Sequence, residues 1–347
     1  MKLFLYEPLT LKVMNFNKIC IIHLNQIGDL VFSLPLLKAL RDNFPGATIH
    51  SVVKPYLKEL LVGLPYVDGI ILREESLKAK VELLKKLRNY KYDLLISLPR
   101  SIESMILTTF SKAKIKVGFA HFPWGLCLDI KENVEGHNSW YNNAKLLKQL
   151  SINIRKNNYI GLINVDKNRN SLNLPKKYAI ISPGASQRRQ AKAWEQDKFA
   201  ELVISLNKNF GLTAVFVGSK ENQAYNQTII KMVMESSPNN AHAIDLTGNT
   251  GLRSLCSIIK DASLFVGIDS GIMHLASSID IPVVGLFGPT DPFYVKPQND
   301  RSVVVRMVEM ECVPCYLQQC KHMNCMRKLD VKRVMNACKK VLTQSKT

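Results

Sequence analysis

Residues 264–292 read LFVGIDSGIMHLASSIDIPVVGLFGPTDP and contain the pattern that decides the fold. Two short apolar runs, Leu264 to Val266 and Val283 to Phe287, have the length and composition of buried strands. Each run ends in a turn of small and polar residues, and the first turn, Gly267 to His274, leads into the start of a helix. A strand, a helix and a second strand in this order predict part of a parallel α/β sheet.

The same alternation of apolar runs and amphipathic stretches extends through the chain in two blocks. The first block begins at Ile19 and the second at Tyr178, and a segment rich in Asn, Lys and Arg separates them at 151–174. The predicted fold is therefore α/β, with two doubly wound domains, 1–170 and 171–347, that face each other across a cleft. Further predicted strands lie at 19–24, 48–53, 93–97, 178–182 and 213–217, and predicted helices lie at 30–43, 77–89, 199–206 and 331–342.

The composition excludes a membrane-spanning protein. Of the 347 residues, 46% are hydrophobic and 22% are charged, and no apolar run approaches the roughly 18 residues that a transmembrane helix needs. The opening 18 residues contain Glu7 and Pro8 within their apolar stretch and lack a small-residue cleavage site. A secretory signal is therefore not expected.

The chain is strongly basic, with 47 Lys and Arg residues against 28 Asp and Glu residues and a formal net charge of +19. Such a charge attracts nucleic acid, anionic lipid headgroups and phosphorylated sugars, although lysines scattered through polar loops also simply coat a surface. A nucleic-acid-binding protein is expected to interleave aromatic with basic residues. The basic loop at 187–192 contains no aromatic residue, and only Trp194 follows it, so nucleic acid is not the expected partner.

Eight cysteines without an export signal indicate reduced thiols rather than a disulfide framework. Four of them cluster near the carboxyl terminus, at Cys312, Cys315, Cys320 and Cys325. Thiolates at such short spacing can converge on zinc or on an iron–sulfur cluster. The second pair lacks the two-residue spacing of a zinc ribbon, so a structural feature without metal is the alternative.

Ligands of doubly wound folds bind at the turns that follow strands. The turn at 25–30 places Asp29 near the start of a helix, where it either caps that helix or serves as a general base that the helix dipole holds ionised. The turn at 182–194 combines small residues with the hydroxyl of one central serine and three cations, which outlines a phosphate site or else a solvated basic loop. Those four residues are Ser186, Arg188, Arg189 and Lys192.

The turn after the Leu264 strand is the most specific of the chain. Amides of Ser270 and Gly271 at a helix start are placed to face a diphosphate, and His274 lies one turn further on the same helical face. Asp269 would cap the helix or hold a ribose hydroxyl. A serine hydrolase is not favoured, because no G-x-S-x-G elbow is present. The next turn, with Gly288 and Thr290, would form one wall of a nucleotide pocket or a structural loop.

Four passages of the sequence together resemble the ADP-heptose:lipopolysaccharide heptosyltransferases of Gram-negative bacteria. They are IGDL with the later LPLLKAL, PGAS with the later KAW, DSGIMHLA, and GLFGPTDP. Their order and separation carry the resemblance, which extends from about Ile19 to Val334. Within the family, LPRSIESM at 98–105, Lys116 to Phe119 and the CVPCY passage are more like the type II subgroup than the type I subgroup.

The resemblance implies an inverting transferase with the two-domain GT-B fold. Asp29 matches the family's catalytic base, and Lys192 matches the lysine that meets the donor's phosphates. The expected donor site also includes Ser186, Asp269, Ser270, Gly271, His274, Gly288 and Thr290. Arg100 and Ser101 are expected to contact the acceptor. One departure from the family is the loop 187–191, which is longer and more basic than its counterpart and puts the reach of Lys192 in question.

The partners implied by the resemblance are ADP-heptose and a lipid A–core acceptor at the membrane surface. The family needs no catalytic metal or other cofactor, which makes the cysteine cluster a structural feature of the carboxyl-terminal region. Such an acceptor implies a cytoplasmic location with a peripheral position on the inner face of the inner membrane. The alternatives are a GT-B enzyme with another donor or acceptor, including a type I-like transferase or an epimerase, and a basic metal-holding nucleic-acid-binding protein.

Overall fold

The chain forms two units, Met1–Asn158 and Tyr159–Thr347, and each contains a six-stranded parallel sheet. The computed structural model describes residues 15–154, 159–165, 173–237 and 242–344. Most of the opening segment that was considered as a secretory signal, up to residue 14, lies outside the described residues. The same is true of 155–158 and 166–172 in the predicted linker.

The first unit is described by six strands and four α-helices. They are β1 (Lys18–Ile22), α1 (Ile27–Asn43), β2 (Thr48–Val53), β3 (Gly69–Leu72), α2 (Leu77–Tyr90), β4 (Leu94–Ser97), α3 (Ile102–Phe110), β5 (Ile115–Phe119), β6 (Ile130–Glu132) and α4 (Trp140–Lys148). Short 3-10 helices occupy Pro55–Leu60 and Trp124–Cys127. The strand order is β3-β2-β1-β4-β5-β6, with every pair parallel.

The second unit repeats this arrangement. Its described elements are β7 (Tyr178–Ser182), α5 (Gln196–Phe210), β8 (Thr213–Phe216), α6 (Gln223–Ser236), β9 (Ala243–Asp245), α7 (Leu252–Lys260), β10 (Leu264–Ile268), α8 (Gly271–Ser278), β11 (Val283–Phe287), α9 (Pro292–Val295), β12 (Ser302–Arg306), α10 (Asn324–Arg327) and α11 (Val331–Gln344). Two 3-10 helices lie at Gln187–Lys192 and Lys220–Asn222. The strand order β9-β8-β7-β10-β11-β12 is that of the first sheet.

The strand order reverses direction at one place in each sheet, between β1 and β4 and between β7 and β10. Doubly wound folds bind ligands at this switch point, outside the carboxyl ends of the strands. The register aligns Ile22 with Ser97 and Ser182 with Gly267, so the turns after paired strands start at the same level. The turns that the sequence analysis identified as candidate sites therefore lie at the carboxyl edges of the two sheets.

The α/β class and two doubly wound sheets predicted from the sequence are confirmed. The best predicted strands are those with continuous apolar runs, such as β7 and β11, in which every residue is buried. Strands covered by helices on both faces require such runs. The sequence analysis missed β3, β5, β6, β9 and β12, which are three to five residues long and mostly only partly buried.

The boundary between the units lies before Tyr159, whereas the predicted boundary lay between residues 170 and 171. Tyr159 is buried, with its hydroxyl 3.4 Å from Oγ of Ser277, and the N–H of Gly161 donates to the carbonyl of Ser278 at 2.8 Å. These contacts attach the segment to the second unit. Within the described parts of the chain, we find no helix with both the length and the apolarity to cross a bilayer.

Candidate active site

Asp269 follows the last residue of β10, at the carboxyl edge of the second sheet, and contacts residues from neighbouring turns. Its backbone N–H donates to the carbonyl of Leu286 at 3.1 Å, and only 7% of the residue is exposed. One carboxylate oxygen accepts from Nζ of Lys192 and from the hydroxyl of Thr290, the latter at 2.8 Å. The other carboxylate oxygen lies 3.7 Å from Nε2 of His274. The structure therefore brings together four of the predicted site residues, which come from three separate turns.

The ionisation of Asp269 follows from these neighbours. Burial alone would raise the pKa of the carboxyl group, but the adjacent Lys192 ammonium and the nearby His274 ring outweigh it and hold the pKa well below its ordinary value. Asp269 is consequently an anion throughout the physiological range. Such a group orients Lys192 and does not exchange protons during a reaction.

The start of α8 is capped by Ser270, whose hydroxyl accepts from the N–H of Met273 at 3.4 Å. The prediction that Asp269 caps this helix is therefore wrong, because its carboxylate is taken by Lys192 and Thr290. Gly271 is the first helical residue. The first amides of a helix have no intrahelical acceptor and form its positive end, so this position is suited to an anionic group.

The basic loop before Lys192 is a 3-10 helix, Gln187–Lys192, preceded by the exposed Ser186. The carbonyl of Ser186 accepts from the N–H of Arg189 at 2.8 Å, which closes the first turn. Trp194 is fully buried after the loop and donates from Nε1 to the carbonyl of Leu329 at 2.9 Å. This anchor fixes the end of the loop, and Lys192 reaches Asp269 despite the extra basic residues.

Asn222, after β8, is a site component that the sequence analysis missed. Its Nδ2 donates to the carbonyl of Ala185 at 3.1 Å, and its Oδ1 accepts from the N–H of Ser219 at 3.2 Å. A Cβ added at Gly184 would lie 2.4 Å from Cγ of Asn222, so only glycine permits this approach. The sequence feature that could have indicated a site at this turn is the pair of small residues, Gly218 and Ser219, directly after a predicted strand.

The cysteine-containing segment contacts both loops that flank Asp269. The carbonyl of Pro289 accepts from the N–H groups of Cys315 and Tyr316 at 3.0 and 2.9 Å. The carbonyl of Gln318 accepts from the N–H of Ala191 at 3.1 Å. Residues 315–318 therefore link the turn that carries Thr290, next to the buried Gly288, to the loop that ends at Lys192. All of these bonds join backbone atoms.

The four clustered thiols differ in environment. Burial raises the pKa of Cys325, with the neighbouring cysteines as further causes, whereas backbone N–H groups of Met323 and His322 lower the pKa of Cys320. None of the eight cysteines, all of which lie in the described ranges, forms a disulfide bond. Among the residues that the structure describes, no three His, Cys, Asp or Glu side chains are grouped closely enough to hold a metal ion.

Asp29 lies in the first turn of α1, two residues after the helix begins at Ile27. The residue at the cap position is Gln26, so the capping interpretation of Asp29 is wrong. Tyr56 lies near Asp29: burial, followed by the negative charge of Asp29, raises the pKa of this phenol. Asp29 also lines a narrow pocket with Phe32 and Asn142.

Arg100 and Ser101 follow β4, which pairs with β1, so they lie at the same edge of the sheet as Asp29. Ser101 caps α3: its hydroxyl accepts from the N–H of Ser104 at 3.2 Å, and the Ser104 hydroxyl accepts from the N–H of Ser101 at 3.0 Å. Arg100 is exposed. The structure thus gives Ser101 a local structural role and leaves Arg100 accessible.

Comparison with known proteins identifies the family. Residues 80–326 match Glycosyltransferase family 9 (heptosyltransferase). Lipooligosaccharide heptosyltransferase 2 of Haemophilus ducreyi is 26% identical over 316 residues, which cover 84% of this chain and 89% of that protein. Lipopolysaccharide heptosyltransferase 2 of Escherichia coli is 25% identical over 319 residues, which cover 84% of this chain and 88% of that protein.

A solved structure of the Escherichia coli ADP-heptose lps heptosyltransferase II has the same fold. It superposes with a TM-score of 0.78 at 21% sequence identity, and the match covers 95% of this chain and all of that chain. The family match extends over more than two thirds of the sequence and includes the turns that carry Lys192, Asp269 and Thr290. The chain belongs to glycosyltransferase family 9, the heptosyltransferase family.

Proposed function

We propose that this glycosyltransferase moves a heptose from ADP-heptose to the heptose-bearing lipid A–Kdo acceptor of the lipopolysaccharide inner core, with inversion at the anomeric carbon. Similarity to two proteins named heptosyltransferase 2, each over 84% of this chain, supports the choice of substrates. The observation that carries the proposal is the grouping of Lys192, His274 and Thr290 around Asp269 at the start of α8.

The second unit is suited to binding a nucleoside diphosphate. The Lys192 ammonium has three N–H donors, and its contacts with the carboxylate and, at 3.4 Å, the carbonyl oxygen of Asp269 use two of them. The third donor is directed to a phosphate oxygen in this proposal. The amide of Gly271 adds the positive end of α8. Together they stabilise the negative charge that ADP gains as its bond to the sugar breaks.

Asp29 is the proposed general base. Its carboxylate accepts the proton of an acceptor hydroxyl while that oxygen forms a bond to the anomeric carbon, and the electron pair of the broken carbon–oxygen bond leaves with ADP. Its place in the first turn of α1 favours the ionised form. An ionised carboxylate is a weak base, which fits a transfer in which the proton moves late. Arg100, exposed at the same sheet edge, is proposed to contact anionic groups of the acceptor.

No catalytic metal or organic cofactor is part of this proposal. In many sugar transferases a cation neutralises the leaving diphosphate, and here Lys192 and the start of α8 provide positive charge for that purpose. Transfer measured after treatment with EDTA is expected to equal that of untreated enzyme. Loss of transfer that added Mg²⁺ or Mn²⁺ restores would contradict this part of the proposal.

The proposed acceptor is a membrane glycolipid, so the enzyme is proposed to act in the cytoplasm, in peripheral contact with the inner face of the inner membrane. The decisive experiment incubates purified enzyme and ADP-heptose with lipopolysaccharide precursors truncated before and after the first heptose. Transfer only to the heptose-bearing precursor is the expected result. Transfer only to the precursor without heptose would indicate a type I activity, and transfer to neither would indicate another donor or acceptor.

A further inference from the structure

Helix α3 presents an apolar face to solvent. Ile102, Ile106 and Phe110 follow one another at four-residue spacing and are exposed by 62%, 41% and 53%. Residues three and four apart lie on one side of a helix, so these side chains form a continuous stripe. The opposite side is packed in the first unit, where Leu107 and Thr108 are buried. A surface helix normally has its polar side outward, so this face is unusual.

Two elements that pack against α3 also expose apolar side chains. Helix α2 packs against α3 and exposes Leu77 by 78% and Val81 by 46%. The 3-10 helix Trp124–Cys127 also packs against α3, and Phe122 and Leu126 in this region are exposed by 87% and 77%. These side chains define what we name the apolar surface: Leu77, Val81, Ile102, Ile106, Phe110, Phe122 and Leu126. Contiguous exposed patches of this kind mark sites of protein or membrane interaction.

The charge around the apolar surface is positive. From residue 74 to residue 131 the chain has 11 lysines and arginines against six acidic residues. Lys78, Arg100 and Lys112 are exposed, whereas Lys80 is 4.0 Å from Glu103 and Lys114 is 2.8 Å from Asp93. Exposed aromatic and aliphatic side chains bordered by lysines favour anionic bilayers. The same charge opposes contact between two copies of this chain, because it would bring like charges together.

The apolar surface also begins at the edge of the sheet that carries Asp29. Helices α2 and α3 follow β3 and β4, and Phe122 follows β5, so each starts where a parallel strand ends. Asp29 follows β1 of the same sheet. Leu77, Ile102 and Phe122 therefore lie toward the edge at which Asp29 is located.

We propose that the apolar surface docks the first unit on an anionic phospholipid bilayer, with Phe122 and Leu126 inserted and α3 lying in the interface. The inference rests on the proposed function in one respect, since it places the Asp29 edge beside a membrane that holds the acceptor. Binding combines the apolar area removed from water with attraction of the lysines to lipid phosphates. It is therefore salt-dependent and requires acidic lipid.

The test is co-sedimentation of the full chain with vesicles of phosphatidylcholine alone or with about one third phosphatidylglycerol. The wild type is expected to sediment with the mixed vesicles, less so at about 0.5 M salt, and only weakly with phosphatidylcholine. Phe122→Ser/Leu126→Ser and Ile106→Ser/Phe110→Ser are each expected to reduce binding about tenfold or more. The matched control Met234→Ser/Val308→Ser removes residues exposed by 44% and 65% in the second unit and should bind as the wild type does.

Two results would overturn the inference. One is unchanged vesicle binding by both double variants, with thermal unfolding curves that confirm folding. The other is a wild-type dimer in light scattering that the variants convert to monomers, which would assign the surface to a second copy of the chain. Vesicle binding needs no sugar substrate, so it remains measurable if the proposed transfer fails. If transfer succeeds, the variants should lose it with vesicle-embedded acceptor and keep it with a water-soluble acceptor fragment.

Discussion

Lys192 and Asp269 lie 77 residues apart in the sequence, and the ammonium group of the first forms an ion pair with the buried carboxylate of the second. Their side chains are exposed by only 11% and 7%. Breaking a buried pair by removing one partner leaves the other charge without compensation, which costs more than the pair itself contributes. This contact therefore links two turns of the second unit, and under the proposed function it holds the lysine where the donor's phosphates bind.

Lys192→Ala is expected to weaken ADP binding about 10- to 100-fold, because it removes a charged hydrogen bond to phosphate. It should also lower the free energy of unfolding by about 3 kcal/mol, because Asp269 stays buried without its cation. Titration calorimetry with ADP and urea unfolding measure the two effects. Lys208→Ala, at an exposed lysine of α5, is the control. Unchanged ADP affinity in Lys192→Ala would refute the assigned role.

Asp29→Asn is expected to keep the affinity for ADP-heptose and to reduce kcat by a factor of about 10² to 10⁴, since the amide cannot accept the acceptor's proton. Single-turnover transfer and donor binding, measured on the same preparation, separate these quantities. Asp42→Asn replaces an exposed carboxylate of the same helix, which pairs with Lys38, and should leave both unchanged. Equal loss of donor binding in Asp29→Asn and Lys192→Ala would contradict the division of roles.

Gly184→Ala is expected to destabilise the second unit by about 1–3 kcal/mol, because the new methyl group would overlap the Asn222 side chain. Displacing Asn222 breaks its bonds to Ala185 and Ser219, so ADP binding should weaken as well. In Gly184→Ala/Asn222→Gly every side-chain atom that the new methyl group would overlap is gone, and the loss should be smaller than the sum of the two single losses. At Gly46 an added Cβ would meet no atom within 4 Å, which makes Gly46→Ala the control. Strict additivity would argue against the steric explanation.

Cys312→Ser and Cys315→Ser are expected to change ADP affinity by less than about threefold, because residues 315–318 contact the donor loops through backbone atoms. Titration calorimetry measures the ADP affinity of each variant and of wild-type protein that has been incubated with a chelator. Elemental analysis of the purified protein accompanies it. A metal that co-purifies, together with a large loss of affinity in either variant, would show that the thiols hold an ion and shape the site through it.

His23→Asn is expected to reduce the acid sensitivity of the fold. His23 is buried, with Nδ1 2.8 Å from Oγ of Ser33 and Nε2 3.2 Å from Oγ of Ser51. Burial, followed by the positive charge of Arg73, lowers the pKa of His23 to about 3. Between about pH 6.5 and pH 3 the unfolded chain therefore binds a proton that the folded chain excludes, so stability falls as the pH falls.

This single group contributes a slope of up to about 1.4 kcal/mol per pH unit, and the slope should be shallower in His23→Asn. Urea unfolding from pH 7 to pH 4 measures it. His121→Asn removes an exposed histidine and should retain the wild-type slope. Identical slopes in wild type and His23→Asn would show that His23 is not the group that titrates.

Much of the fold could be predicted from the sequence, because long apolar runs identify central strands. β2, β7 and β11 have the bounds that were predicted. β6 and β9 were missed since each has only three residues and neither contains a residue from the fully buried core. An edge strand is stabilised by its neighbour, and such pairing leaves little trace in local composition.

The donor site was partly predictable for a similar reason. Asp269, Ser270 and Gly271 lie in one turn, so spacing alone brings them together. The reach of Lys192 depends on Trp194, which is anchored to Leu329, a contact across 135 residues. The bonds from Cys315 and Tyr316 to Pro289 use backbone atoms, for which side-chain chemistry gives no signal.

The two sheets share one strand order, and under the proposed roles each carries a different half of the chemistry. In that proposal, recognition of the sugar nucleotide is encoded in the unit that begins at Tyr159, and recognition of the growing glycan is encoded in the unit before it. A mutation that alters the choice of activated sugar can therefore arise without disturbing the choice of glycan, and the reverse is equally true. Because the two specificities lie in different units, one unit can change during evolution while the other is conserved. New surface polysaccharides can then arise from changes in a single unit.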